Sequence, residues 1–338
     1  MHMASDQTLK IGLVGCGGLG SRHAAHVESI EGAELVAVCD QDRTSATALS
    51  DKLASQPAIY DNHRTMLSAQ SPDAVLVVTP NFVHSPITVD AATAGAHVFC
   101  EKPMALTVED CDAMIEAADN AGVFLMIGYV RRFQNAYREM KRLIAEGQIG
   151  EIRMAHTVRL GTGAPGGVAG WQLDRERYGG LFSMHSHELD QLTWMAGDVR
   201  AVQAVMRYDD ASYNTVEESI FINLEFSSGA IGSLSSSRIY PGGSYELGVA
   251  GTEGSVKITS GTGAQLTLNR VGEKSEHMTY ERNNGLLEEM TYFLNCIRTG
   301  EQPQSSGHDG RRTIAISLAA HESARTGQKI EVPISSTK

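Results

Sequence analysis

No C-x-x-C pair occurs among the five cysteines, Cys16, Cys39, Cys100, Cys111 and Cys296. An odd count without that spacing argues against a disulfide frame and reads as buried thiols in a reducing, cytoplasmic setting. No apolar run approaches the roughly 20 residues that cross a bilayer, and no charged-then-apolar leader precedes Leu9. The 28 Lys and Arg are outnumbered by 40 Asp and Glu, for a formal net charge of −12. That balance argues against a nucleic acid or an acidic membrane as the main partner. Internal repeats and low-complexity tails are also missing. What is there, 338 residues with 42% hydrophobic and 20% charged, suits an ordinary soluble globular protein. It is too long for one typical core and suggests two domains.

The most informative stretch runs from Leu9 to Asp40. Leu9–Val14 is a short apolar run of the kind that forms a strand buried on both faces. Gly15, Gly17 and Gly20 follow in G-x-G-x-x-G spacing, ahead of a helical pattern carrying Leu19, Val27 and Ile30. The first glycine permits a tight turn, the second lets backbone approach a pyrophosphate, and the third allows close helix–strand packing. A helix N-terminus there offers N–H donors and partial positive charge to phosphate. A second apolar strand, Glu34–Cys39, ends in Asp40, whose carboxylate can accept both hydroxyls of an adenosine ribose and repels a 2′-phosphate. The glycines alone are weak evidence in a chain with 34 of them, but strand, turn, helix, strand and acid come in the required order. NAD is therefore expected, and Arg43 keeps NADP open. The competing reading is a plain Gly-rich turn with Asp40 capping the next helix.

Strand and helix then alternate. Helices are expected at Thr44–Leu53, Asn62–Ala69, Pro86–Ala94 and Thr107–Asn120, and strands at Ala58–Tyr60, Asp73–Val78, His97–Cys100 and Val123–Ile127. Six such strands make a doubly wound parallel sheet, an α/β Rossmann domain over residues 1–128. Residues 129–338 change character. A helix at Gln134–Ala145 leads to a strand at Ile152–Leu160, a glycine-rich run from Gly161 to Gly170, and a helix to which Leu189–Met195 belongs. Ser219–Phe226, Ala230–Ser237, Tyr245–Ala250 and Val256–Thr259 follow as strands without intervening helices. Helices at Leu286–Arg298 and Arg311–Ala324 and a strand at Lys329–Val332 complete an α+β domain. Its sheet is expected to be large, open and mainly antiparallel, with one face solvated or covered by a partner.

In an open α/β sheet, ligands gather beyond the carboxyl ends of the strands. Thr79–His84 is one such loop, where Asn81 and His84 could line the nicotinamide half of the cofactor. Glu101-Lys102-Pro103 is another, and its ammonium can hold a substrate oxygen and stabilise charge developing on it. The competing reading of Lys102 is a solvated loop lysine. In the second half, His187 sits at or near a helix start, where an imidazole could accept a hydroxyl proton at neutral pH. A locally packed histidine is the competing reading. His185, His187 and Asp190 also suggest a metal site, but no further cluster completes a coordination set, so no metal is expected. Trp171 could fold over a sugar ring or simply pack beneath a loop.

These segments resemble the glucose–fructose oxidoreductase / inositol dehydrogenase (Gfo/Idh/MocA) family over nearly the whole chain. The likeness rests on the Gly15–Gly20 turn, on Thr79-Pro80-Asn81 with His84, and on residues 95–104, GAHVFCEKPM. It also rests on residues 128–133, GYVRRF, and on the segment from Gly179-Gly180 to His187-Glu188-Leu189-Asp190. The Arg131-Arg132-Phe133 stretch resembles inositol dehydrogenases in particular. The resemblance implies NAD(P)-dependent interconversion of a secondary alcohol and a ketone on a sugar, polyol or inositol-like ring. Lys102 takes the catalytic lysine role and His187 the histidine role. The expected cofactor site comprises Gly15, Cys16, Gly17, Gly18, Leu19, Gly20, Asp40, Gln41, Arg43, Thr79, Pro80, Asn81, His84, Glu101, Lys102 and Arg131. The expected substrate site comprises Lys102, Arg132, Trp171, Ser183 and His187. The family's open sheet further implies a homodimer or homotetramer formed through it.

One position departs from the pattern. Inositol dehydrogenases usually carry an aspartate four residues before the histidine, and here that residue is Ser183. A serine can hydrogen-bond an imidazole but adds no charge to stabilise its protonated form. Asp190 or His185 could substitute. Two other functions stay open: a NAD-dependent glycosidase or lyase working through transient sugar oxidation, and a non-catalytic sugar or nucleotide sensor.

Overall fold

The computed structural model describes residues 8–162, 174–179, 181–208, 216–260 and 264–333. The chain divides into two compact units: Met1–Val130 with Gly285–Arg311, and Arg131–Asn284 with Arg312–Lys338. In order, the elements are β1 (Leu9–Val14), α1 (Gly18–Ser29), β2 (Ala33–Cys39), α2 (Arg43–Ser50), β3 (Ala58–Tyr60) and α3 (His63–Gln70). Then come β4 (Ala74–Val77), α4 (His84–Thr93), β5 (His97–Cys100), α5 (Val108–Ala121) and β6 (Leu125–Ile127). After them lie α6 (Asn135–Ala145), β7 (Ile152–Thr162), α7 (Arg175–Tyr178), α8 (Leu181–Ala196), β8 (Val199–Tyr208), β9 (Glu217–Phe226) and β10 (Ile231–Ser237). The chain continues with β11 (Ile239–Gly251), β12 (Gly254–Ile258), β13 (Gln265–Arg270), β14 (Glu276–Thr279), α9 (Gly285–Thr299), α10 (Gly307–Thr326) and β15 (Ile330–Glu331).

The first unit is built on a six-stranded sheet in the order β3-β2-β1-β4-β5-β6, with every pair parallel. Its strands read as continuous apolar runs because helices cover both faces: all of β4 is buried, and Ile11 and Leu13 of β1 have no exposure. Side chains stop and start the helices where the sequence suggests. Thr107 accepts from Asp110 N at 3.1 Å at the head of α5, and Gly122 ends that helix at φ +67°. Asp42 caps α2 by accepting from Thr44 N at 3.0 Å. The strand order reverses between β1 and β4, which makes their carboxyl ends the switch point where such sheets bind ligands.

The second unit carries a nine-stranded sheet, β14-β13-β12-β11-β7-β10-β9-β8-β15. All its pairs are antiparallel except β10 with β7, so the sheet is mixed at that one seam. Alternation along β9 buries Ile220, Ile222 and Leu224 on one face and leaves Phe221 59% exposed on the other. The buried face meets α8 and the later part of α10; Ser236 Oγ lies 2.6 Å from His185 Nε2, and Ala204 N donates to Ser323 Oγ at 3.0 Å. The helix to which Leu189–Met195 belongs begins at Leu181, six residues before His187 and not at or near it. Its first turns escaped detection because the buried positions there are polar: His185, Ser186 and Glu188 are each at most 2% exposed. His185 and Glu188 are held there by ionic and hydrogen-bonding partners, so no hydrophobic stripe marks that side.

Candidate active site

In the first unit the glycine turn is shaped by what each glycine would collide with. Gly15 sits at φ +102°, and a Cβ there would lie 2.4 Å from Val78 O. A Cβ on Gly20 would lie 1.9 Å from Gly15 O, so turn and helix pack backbone on backbone. Gly17 and Gly18 are different: a Cβ on either meets nothing within 4 Å. Those two face open space at the start of α1, where Gly17 makes no side-chain cap bond to the helix. An N-terminus left open in this way suits a pyrophosphate. Asp40 stays at the end of β2, accepting from Cys16 N at 2.8 Å and from Asp42 N at 2.9 Å. The capping of α2 falls to Asp42, and Asp40 plays no part in it. A carboxylate has about four acceptor positions, so both oxygens of Asp40 retain capacity for ribose hydroxyls. Burial pushes the Cys16 thiol up to about 12, with Asp40 adding to the effect, which makes it an inert lining group.

The other two loops lie at the carboxyl ends of β4 and β5. Asn81 is buried within a 3₁₀ turn, Asn81–Val83, and His84 is the first residue of α4 instead of the last residue of a loop. His84 is 1% exposed, with Nδ1 3.0 Å from Pro103 O and Nε2 2.9 Å from Thr79 O. Glu101 is also buried; Oε1 pairs with His23 Nε2 at 3.0 Å and Oε2 accepts from Lys102 N at 3.1 Å. Lys102 is half-buried, and its peptide bond to Pro103 is cis. His23, on α1, carried no signal in the sequence, being one histidine on a helix face.

In the second unit, α8 carries His187 in its second turn, half-buried, instead of at the helix start. His185 and His187 are two residues apart on a helix, so they project to roughly opposite sides. His185 is occupied with Ser236 and with Glu188 Oε2 at 3.4 Å. Glu188 is wholly buried and also meets Arg131 Nη2 at 3.0 Å and Arg159 Nη1 at 3.1 Å. Burial alone would raise this carboxyl, but the two guanidiniums outweigh it and hold it well below the usual range. Arg131 further donates to Gln191 Oε1 at 3.0 Å and to the Tyr245 hydroxyl, with its guanidinium 4.7 Å from the Tyr245 ring centre. Arg132 donates through Nε to both Asp190 oxygens, at 3.2 and 3.1 Å, with both side chains at most 2% exposed. Asp190, one of the residues that could substitute for a missing carboxylate at 183, thus has Arg132 as a partner. Glu188, Arg159, Gln191 and Tyr245 are parts of this cluster that the residue pattern did not single out. Trp171 and the side chain of Ser183 lie outside the described residues.

A parallel sheet with an open glycine turn at its switch point, an acid at the end of β2 and a lysine beyond β5 defines the class: a dinucleotide-binding enzyme of redox type. Residues 9–129 match the NAD-binding Rossmann-fold domain of the Gfo/Idh/MocA oxidoreductase family and residues 141–332 match its C-terminal alpha/beta domain, and the chain belongs to that family. It is 29% identical to the myo-inositol 2-dehydrogenase of Thermotoga maritima over 96% of this chain and 98% of that protein. It is also 29% identical to the 2,7-anhydro-N-acetylneuraminate hydratase of Escherichia coli, over 90% of this chain and 81% of that one. Among solved structures, the WlbA dehydrogenase of Bordetella pertussis, in complex with NADH and UDP-GlcNAcA, superposes with a TM-score of 0.86 at 26% identity. That match covers 98% of this chain and 99% of the other. No helix among the described residues is long and apolar enough to cross a membrane.

Proposed function

We propose that the protein oxidises a secondary alcohol on a sugar, polyol or inositol-like ring to the ketone, or runs the reverse reaction, with Lys102 and His187 as the catalytic pair. The observation that carries this reading is the placing of Lys102 immediately beyond β5, two strands from the glycine turn, on a backbone held by Glu101. NAD, when bound against Gly17, Gly18 and Asp40, supplies the hydride acceptor. The ammonium of Lys102 donates to the reacting oxygen and stabilises the charge it gains as its proton leaves. The imidazole of His187 accepts that hydroxyl proton, directly or through Lys102, while the C–O bond becomes a carbonyl. Thr79, Pro80 and Asn81 border the nicotinamide end, and Gln41 and Arg43 the adenosine end. Arg132, Trp171 and Ser183 complete the proposed substrate side, Arg132 acting there through its pair with Asp190.

A panel of polyols and sugars, offered with NAD and with NADP and followed by absorbance of the reduced cofactor, tests this. Reduction by at least one cyclic polyol or sugar, with NAD preferred, is the expected result; no reduction across the panel sinks it. A second reading, a lyase or glycosidase that oxidises its sugar only transiently, draws support from the E. coli relative, which is named for a hydration and not an oxidation. Turnover of a glycoside or anhydro sugar with no net accumulation of NADH would select it.

The assembly is proposed to be a homodimer or homotetramer joined through the open face of the nine-stranded sheet. Val205, Phe221 and Ile231 are each more than half exposed there, on neighbouring strands. A cytoplasmic location suits the five cysteines, all of them free and buried.

A further inference from the structure

His84, expected at the nicotinamide half of the cofactor, also meets two loops of the protein itself. Its ring is fully inside the first unit, and each nitrogen faces a main-chain carbonyl of a different loop: Thr79 O beyond β4 and Pro103 O beyond β5. Thr79 precedes Pro80-Asn81, and Pro103 follows Lys102, so one side chain touches both loops that flank the proposed reaction site. A neutral imidazole has one N–H and donates to one carbonyl at a time. Burial holds the ring below its ordinary pKa, although both carbonyls and the Glu101 carboxylate oppose that shift. Either tautomer therefore ties one loop to α4, while the ring fills the gap between them. On the other side of Lys102, Glu101 is gripped by the buried His23 of α1. The lysine thus stands between two residues, each held by a buried histidine from a different helix.

We propose that His84 is a positioning residue that fixes the Lys102 ammonium by wedging between the Pro103 and Thr79 carbonyls and donating to one of them, with His23 as its counterpart on Glu101. This rests on the reading of Lys102 as the group that meets the substrate oxygen. Loss of the clamp lets the Glu101–Pro103 turn shift, and a misplacement of about 1 Å can cost about a hundredfold in rate. Cofactor affinity should change far less than the rate, because the proposed phosphate and ribose contacts at Gly17, Gly18 and Asp40 sit on other loops and only the nicotinamide end borders Thr79.

The test compares wild type with His84→Leu and His84→Gln, the second of which keeps N–H donors in place of the ring. Three quantities are read: NAD affinity by fluorescence titration, kcat and KM with the best panel substrate, and amide hydrogen exchange by mass spectrometry. The expected result for His84→Leu is a kcat lowered at least about tenfold, NAD affinity within about threefold, and faster exchange confined to peptides covering 79–84 and 101–106. His84→Gln should recover part of both the rate and the protection. Weaker NAD binding with kcat preserved would make His84 a cofactor contact and overturn the proposal. So would faster exchange spread across the whole unit, the mark of a purely structural residue, or no change in any quantity. Hydrogen exchange needs no substrate, so a wild type that reduces no NAD refutes the proposed function while the exchange maps still decide the clamp. If His84→Leu does not fold, the same maps on His84→Gln decide it, intermediate protection in the two segments supporting the clamp and wild-type protection refuting it.

Discussion

Glu188 Oε1 lies 3.0 Å from Arg131 Nη2, with the carboxylate at 0% and the guanidinium side chain at 11% exposure. The pair anchors α8, the helix that bears His187, to the turn preceding α6. Removing one member of a buried pair strands the other charge, which typically costs about 3–5 kcal/mol. Glu188→Ala is expected to lose that much, read from urea unfolding at neutral pH; a loss under about 1 kcal/mol would show that water or Arg159 absorbs the change.

The same carboxylate sets an acid limit. Its folded pKa is depressed below the ordinary 4.5, so the folded state holds the proton less tightly than the unfolded chain. The stability it contributes is fully present above about 4.5 and is lost as pH falls through the folded value. Glu188→Gln lacks that titration. The gap in urea midpoint between wild type and Glu188→Gln should therefore be constant from pH 7 to about 5 and narrow below it. A gap that keeps its size down to pH 3 would assign the acid sensitivity to other groups.

Gly17 and Gly20 separate cofactor binding from folding. Gly20→Ala forces a methyl against Gly15 O, and strain of this kind costs about 1–3 kcal/mol. Gly17→Ala meets empty space at φ −71°, so the apoprotein should melt within about 2 °C of wild type. NAD affinity of Gly17→Ala should nonetheless fall at least about tenfold, because the methyl occupies the approach to the pyrophosphate. Thermal melts with and without NAD measure both; undiminished stabilisation of Gly17→Ala by NAD would move the phosphates elsewhere.

The first sheet was legible from the order of its runs, since buried parallel strands are apolar throughout and their ends fall at glycine, proline or acid. The positions of Asp40 and the glycines were legible because each sits where a strand ends and the chain turns. The start of α8 could not be read. Its buried positions are His185, Ser186 and Glu188, which look like a polar turn until Arg131, Arg159 and Ser236 arrive from segments 29 to 57 residues away in sequence. Residues 285–311 belonging to the first unit is equally silent, for no motif at Gly285 marks it. Contacts such as Arg298 Nη2 to Gly32 O, at 2.7 Å, join positions that only folding brings together. Periodicity reports an apolar environment, and a polar side chain buried by a distant partner leaves no trace in it.

Lys102 is the residue on which the proposed chemistry turns. Lys102→Met keeps the length and apolar stem of the side chain but removes the ammonium, so the Glu101–Pro103 turn retains its anchors on His23 and His84. With no donor to meet the developing oxyanion, kcat should fall by about 10²–10⁴. NAD affinity should stay within about threefold, because the proposed phosphate and ribose contacts lie on the glycine turn and β2. Lys102→Arg keeps the charge but spreads it over a wider plane, so it should restore only part of the rate. Stopped-flow reduction of NAD separates the chemical step from release. A burst rate for Lys102→Met equal to wild type would mean the oxygen is held by another group, and the lysine would then be one more charge on the loop beyond β5.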